Sequence, residues 1–295
     1  MTTPAAVGYI GLGQMGSAMV SRLLTARPPA EATRVGVCDL DPEPVRRAVD
    51  AGAVAFDSPA ALAAEFDVVS ICVPAAHHVE AVLTGAGGIA ETARDGQVLL
   101  VHSTIAPADI RRFHDLARGW GAWLHDACVA GGPDAATAGE LVVLAGAPDL
   151  LGAEARALLD TYASRVVDAG PVGGGAALKL AVNVMTYAQF AAAGVAYDIA
   201  RTAGADTGAL VATWEHTGQL GRLTSQFLPV LDIPAEHLTG AFRSALEGTV
   251  DIATKDLTLA GDACANPEGT FASLLDALAT SMGDVFGTAR DGAGS

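Results

Sequence analysis

Lys179 and Asn183 stand four residues apart in "LKLAVNVM", residues 178–185, where every other side chain is apolar. At that spacing both side chains share one face of a helix. An amine among hydrocarbon neighbours is partly desolvated, which disfavours its charged form and suits it to take or give a proton. The plain alternative is a lysine whose stem lies on apolar surface while its head reaches water. A second set of residues is "GLGQMG": Gly11, Leu12, Gly13, Gln14, Met15 and Gly16. This is a full G-x-G-x-x-G, placed after the short apolar run "VGYI" and before a helical stretch. In that context the first glycine permits a tight turn and the second lets the backbone approach a pyrophosphate. The third allows close helix–strand packing, and the helix N-terminus faces the phosphates. Alone the pattern describes a turn; between a strand and a helix it predicts dinucleotide binding.

Asp39 ends the next apolar run, "RVGVCD". A carboxylate there can accept hydrogen bonds from an adenine ribose and repels a 2′-phosphate. The competing reading is a loop or capping aspartate, although Asp41 is the better placed cap. No basic residue directly follows Asp39, and Arg46 and Arg47 come a turn or two later, so NAD is expected over NADP. Other polar clusters carry less. "HHVE", 77–80, is set aside as a metal site because adjacent helical residues point to different faces, which leaves a solvated helix start. "TWEHTG", 213–218, fits a pocket wall and a helix end packed on its neighbour equally well.

The elements that must position these groups follow from periodicity. Apolar runs at 7–10, 34–39, 67–74, 96–103, 121–129 and 139–146 read as strands, with an edge strand at 164–170. Amphipathic helices separate most of them. The first spans about Met15 to Arg27 and is stopped by Pro28-Pro29; another, "DPEPVRRAVDAG", has an acidic, proline-containing first turn. Strand alternating with helix predicts βαβ units and a parallel sheet. After the glycine-rich turn "PVGGG", 171–175, the pattern becomes helical: one long helix over 176–203, then helices near 206–217, 238–263 and 267–286. The expected architecture is an α/β, Rossmann-type doubly wound sheet over 1–170 and an all-α domain over 171–295, with a disordered tail, "GTARDGAGS".

Composition sets the limits. The chain has 295 residues, 51% of them hydrophobic, enough for two domains with cores of their own. A formal charge of −16 disfavours nucleic acid and anionic membrane surfaces as partners. No apolar run reaches membrane-spanning length, and no basic segment precedes the first strand, so neither a membrane span nor a signal peptide is expected. Cys38, Cys72, Cys128 and Cys264 are far apart with no CxxC, which predicts reduced thiols, a cytoplasmic protein and no zinc site.

Taken together the motifs resemble those of the β-hydroxyacid dehydrogenase family, the relatives of 3-hydroxyisobutyrate dehydrogenase. "GLGQMGSAM" resembles that family's G-L-G-x-M-G-x-x-M, and "HSTIAP", 102–107, its S-T-x-x-P loop. "DACVAGG", 126–132, with Ala136 and Gly139, resembles D-A-P-V-S-G-G-x-x-x-A-x-x-G. "GGAALKLAVN" resembles G-x-x-x-K-x-x-x-N, and "KDLTLA", 255–260, K-D-L-x-L-A. The resemblance implies NAD(P)-dependent hydride transfer to or from a small β-hydroxy acid or the matching aldehyde or ketone. It implies Lys179 as general acid/base and Asn183 as the group that holds substrate or orients that lysine. Ser103, Gly131 and Gly132 would meet the substrate, the glycines through backbone N–H groups. Val73, Pro74 and Thr104 would line the cofactor, and Lys255 would close over it. The long helix would form a wall of an interdomain cleft and pair subunits into a homodimer or homotetramer. Two departures stand out: Cys128 replaces the family's proline, and Ala130 its carboxylate-binding serine. His102, before S-T, is read as a loop histidine with a local backbone partner. Imine reductases, which usually carry aspartate or tyrosine at the lysine position, and a non-catalytic dinucleotide binder are the competing readings.

Overall fold

A computed structural model of the chain describes residues 6–26, 34–234, 237–266 and 268–288. The elements run β1 (Ala6–Ile10), α1 (Gln14–Thr25), β2 (Arg34–Cys38), α2 (Pro42–Asp50), β3 (Val54–Ala55), α3 (Pro59–Ala63), β4 (Val68–Ile71) and α4 (Ala76–Thr84). There follow β5 (Val98–Val101), α5 (Pro107–Arg118), β6 (Trp123–Ala130), α6 (Gly132–Ala138), β7 (Leu141–Ala145), α7 (Ala153–Tyr162) and β8 (Ala163–Asp168). The helices α8 (Gly174–Thr202), α9 (Thr207–Thr217), α10 (Arg222–Leu231), α11 (Gly240–Asp262) and α12 (Thr270–Val285) complete the described chain. Two compact units result, Met1–Lys179 and Leu180–Ser295. The expected helix stop at Arg27–Pro29 and the tail from Ala289 lie outside the described residues.

The first unit is one eight-stranded sheet in the order β3-β2-β1-β4-β5-β6-β7-β8. Its inner strands are apolar runs with both faces covered: Val7, Tyr9, Val37, Val69, Ile71, Leu99 and Leu100 are fully buried. The helix α1 buries Gly16, Met19, Val20 and Leu23, the i, i+3, i+4, i+7 stripe of an amphipathic helix. Asp41 caps α2 by accepting the Glu43 N–H, with Pro42 in the first turn. Chain order reverses between β1 and β4, so the loops after these two strands flank the switch point where doubly wound sheets bind ligands.

The sheet departs from the expected all-parallel pairing at one place. The pair β6–β7 is antiparallel, with Ala127 opposite Ala145 and Ala130 opposite Val142. The connection through α6 is shorter than a parallel crossover requires. The eight residues of β6 are thereby divided: Trp123 to Asp126 pair with β5, and Ala127 to Ala130 with β7. The two-residue strand β3 gave no periodic signal, since both its residues are exposed.

The second unit is helical. Leu180, Tyr187, Phe227, Leu246, Leu257, Leu275, Met282 and Phe286 form its core. The helix α10 lies outside the helices expected from the sequence, and Pro229 lies inside it. That proline sits in the last turn and removes one hydrogen bond, while Phe227 stacks on Phe190 with ring centroids 4.3 Å apart. Packing outweighs local propensity there.

Candidate active site

The glycine loop joins β1 to α1. Gly11 has φ +93°, and a Cβ on it would lie 2.2 Å from the Cys72 carbonyl oxygen. A Cβ on Gly16 would lie 2.0 Å from the Gly11 oxygen. Both glycines are therefore required by the protein's own packing. Gly13 is different. Its φ of −61° suits any residue, and a Cβ there would meet nothing within 4 Å. It begins α1 without a side-chain cap and with no acidic residue in the first turn. Protein packing does not explain this glycine, whereas a phosphate pressed against the backbone does. The loop therefore fits a dinucleotide's pyrophosphate.

Asp39 is tied to that loop. Its Oδ2 accepts the Leu12 N–H, and its Oδ1 accepts the Asp41 N–H at 2.8 Å. The carboxylate thus cross-links the glycine loop to the turn after β2. Leu40 beside it is fully exposed, and Arg46 and Arg47 both pair with Glu43.

Across the switch point the Val73 N–H donates to Ser103 Oγ at 2.9 Å, joining the loops after β4 and β5. Ser103 is buried and Pro74 exposed, with Val73 and Thr104 half-buried. Beneath these loops lies a buried polar network centred on His102. Its Nδ1 is 2.6 Å from the Ala127 carbonyl oxygen, which can only accept, so Nδ1 carries the proton. Nε2 then accepts, with Ser70 Oγ at 3.1 Å and the Tyr162 hydroxyl at 3.2 Å. Tyr9 stacks on the ring with centroids 6.0 Å apart. Burial pushes the His102 pKa down to about 4. His102 is thus a neutral strut whose backbone partner lies on the neighbouring strand β6, rather than locally as expected.

The segment after β6 carries Gly131, with φ +133°, and Gly132, with φ +82°. A Cβ on Gly131 would lie 2.9 Å from the Ala135 Cβ, while one on Gly132 would meet nothing within 4 Å. Cys128 is buried, its Sγ 3.6 Å from the Ser103 carbonyl oxygen. Ala130 is half-buried at the strand end.

Lys179 lies half-buried in the second turn of α8. The first turn of that helix is held by Asp126 of β6, whose Oδ1 and Oδ2 accept the Gly173 and Ala176 N–H groups, each at 2.9 Å. Farther along α8, the Asn183 Nδ2 donates to Asp256 Oδ2 of α11 at 2.5 Å. Lys255 Nζ donates to the other oxygen, Oδ1, at 2.7 Å. Asp256 is buried and binds two of the expected site residues at once. Tyr187 joins this group: burial, then the Asp256 charge, raises its pKa. Among the 17 basic side chains only Lys179 and Lys255 are lysines, and all others are arginines. Among the described residues arginine serves every other ion pair, and lysine stands at these two motif positions alone.

Residues 6–170 match the family described as the NAD binding domain of 6-phosphogluconate dehydrogenase. An uncharacterized oxidoreductase of Mycobacterium tuberculosis is 35% identical over 86% of this chain and 84% of its own. A probable mitochondrial 3-hydroxyisobutyrate dehydrogenase of Dictyostelium discoideum is 31% identical over 87% of this chain and 78% of its own. The chain belongs to the β-hydroxyacid dehydrogenase family. Its fold is also that of a solved 3-hydroxyisobutyrate dehydrogenase of Mycobacterium tuberculosis with L-serine, with 26% identity and a TM-score of 0.76 over 95% of this chain and 94% of that one.

Two buried carboxylates of this β-hydroxyacid dehydrogenase family member escaped the sequence reading, although both lie inside quoted motifs. Asp256 occupies the apolar face of α11 with Ala253, Leu257 and Ala260, and a charge in a buried register was the available signal. Asp126 lies in an apolar strand, where the same signal applied. One other reading changes. The His77 and His78 rings lie together, with centroids 3.9 Å apart, although adjacent helical positions were expected to point to different faces. No group of three or more His, Cys, Asp or Glu among the described residues is disposed to hold a metal. Trp214 packs on Tyr197 of α8 with centroids 6.1 Å apart, while Thr213, Glu215 and His216 of the same segment are exposed. Burial raises the thiol pKa of Cys38 to about 11 and of Cys72 to about 12, so neither is a reactive thiolate.

Proposed function

We propose that the protein is an NAD-preferring dehydrogenase of a small β-hydroxy acid, with Lys179 as its general acid/base. The observation that carries this reading is the lysine on α8, held one turn from a helix start fixed by Asp126, in a chain with one other lysine, Lys255, and arginine at every other basic position. A non-catalytic binder would have no use for that choice. When bound, the nicotinamide supplies the hydride acceptor or donor. The protein supplies the rest. The Lys179 amine takes the hydroxyl proton as the carbinol carbon gives up its hydride, and returns it in the reverse direction. The Gly131 and Gly132 amides and Ser103 receive the substrate carboxylate. Asn183, held by Asp256, orients the reacting oxygen. Gly11 to Gly16 hold the pyrophosphate, with Val73, Pro74, Thr104 and Lys255 against the rest of the cofactor. Asp39 selects NAD, supported by the pairing of the nearest arginines with Glu43.

The same reading includes a cytoplasmic protein and a homodimer or homotetramer formed through α8. Leu178, Val182, Met185 and Ile199 are exposed on that helix, and light scattering would report the mass. No helix among the described residues is long and apolar enough to cross a membrane. The activity is tested with a panel of 2- and 3-hydroxy acids followed at the NADH absorbance band with each cofactor. Lys179→Ala should lower kcat by about 10²- to 10⁴-fold and leave cofactor affinity intact. Near-normal kcat in that variant would sink the role of Lys179.

A further inference from the structure

The segment "PVGGGA" that opens α8 has no Ser, Thr, Asp or Asn to cap its own helix. A helix start leaves backbone N–H groups without partners, and a buried one requires acceptors. Here the acceptors come from far along the chain. Asp126 lies 47 residues from Gly173 and 50 from Ala176, and its two oxygens take one N–H each. The carboxylate is fully buried. Two glycines make the space it fills: a Cβ on Gly146 would lie 2.0 Å from Oδ1, and one on Gly175 2.9 Å from Oδ2. The Asp126 carbonyl oxygen also accepts the Gly146 N–H at 2.9 Å.

The position of Asp126 in β6 gives this cap a further meaning. It pairs with Val101 of β5, two residues before Ser103. It is the last residue of β6 paired to β5, and the strand then runs on to Ala130 and Gly131. One side chain therefore joins the strand leading to the Gly131–Gly132 turn, the strand leading to Ser103, and the helix turn that precedes Lys179. We infer that Asp126 is a positioning residue: it fixes the first turn of α8 to β6 and so sets where the Lys179 amine stands relative to Ser103 and the Gly131–Gly132 turn. This rests on the role proposed for Lys179. A charge-assisted pair of hydrogen bonds at a helix N-terminus, favoured by the helix dipole, is strong enough to fix such a register.

The test must separate placement from plain stability, and must read Lys179 without depending on turnover. With only two lysines in the chain, competitive labelling by acetic anhydride across a pH series, read by peptide mass spectrometry, reports each amine separately. Asp126→Asn keeps the shape but turns an N–H toward a backbone N–H. It is expected to move the pH midpoint of Lys179 labelling and leave that of Lys255 unchanged. Turnover of the best acid in the panel should fall by about 10²-fold, the effect of a misplacement near 1 Å, with NADH affinity retained. Gly175→Ala provides the second variant. Its Cβ would lie 2.2 Å from the Leu144 carbonyl oxygen and 2.9 Å from Oδ2, so it pushes the helix start off both β7 and the carboxylate while Asp126 stays intact, and should move the same midpoint; if Asp126→Asn is recovered unfolded, this variant decides alone. Unaltered Lys179 labelling in the folded variants, with only a lower melting temperature, overturns the inference. A moved midpoint without turnover of any acid by the wild type would uphold the placement and reject the proposed activity instead.

Discussion

Replacing His102 should remove a defined part of the pH dependence of stability. The imidazole is fully enclosed, its Nδ1–H on the Ala127 carbonyl and its Nε2 facing the Ser70 and Tyr162 hydroxyls. Burial lowers its pKa from 6.5 to about 4 in the folded chain. Between those values the unfolded state binds a proton that the folded state does not. Stability is therefore undiminished above about pH 6.5, is lost as pH falls through that window, and levels off below about 4. The shift corresponds to about 3 kcal/mol in all, at roughly 1.4 kcal/mol per pH unit. That is a large part of a typical folding free energy of about 5–15 kcal/mol. The assay is urea unfolding at pH 7.5, 6, 5 and 4.5 on a Trp214→Phe background, so that fluorescence comes from Trp120 and Trp123 of the sheet unit. His102→Asn should be the less stable protein at pH 7.5, by about 1–3 kcal/mol for its lost hydrogen bonds. The gap should close or reverse by pH 4.5, because the variant lacks the titrating ring while carboxylates act equally in both. Two curves with one constant offset across that range would refute the buried, neutral histidine.

Asp39→Ser combined with Leu40→Arg should narrow or invert the preference for NAD, measured as kcat/KM with each cofactor. A wild type that prefers NADP by tenfold, about 1.4 kcal/mol, would show that Asp39 serves only the Leu12 and Asp41 amides. Ala130→Ser restores a hydroxyl at the end of β6 and should raise kcat/KM for 3-hydroxyisobutyrate tenfold or more, given about 1.5–3 kcal/mol for a hydrogen bond to a charged group. No gain, with high wild-type activity on that acid, would mean that the Gly131 and Gly132 amides hold the carboxylate unaided.

What could be read from the sequence were the features that repeat locally. The strands β1, β2 and β4 to β7 announce themselves as apolar runs, and the glycine loop by its spacing. The antiparallel sense of β7 is not encoded in that strand; it follows from the short reach of the connection through α6. The helix α10 carries Pro229, whose local cost is offset by aromatic packing of Phe227 with Phe190, a contact with no local signature. The partners of Asn183 and Ala176 were out of reach for the same reason. Asp256 is 73 residues from Asn183, and Asp126 is 50 from Ala176, so neither bond has a local signature. In both cases the legible sign was a carboxylate in a register that otherwise carries hydrocarbon.

The bond from Asp126 to the start of α8 also decides where this protein can be cut. The last strand ends at Asp168, and a fragment stopped there would look like a finished nucleotide-binding module. It would contain a buried carboxylate with neither of its amide donors. Leaving a buried charge without its partners costs several kcal/mol, enough to unfold a marginal domain. Extending the fragment through Ala176 supplies both donors. The module therefore ends inside a helix that continues into the other unit, and any graft of one unit onto another has to carry that first turn with the sheet.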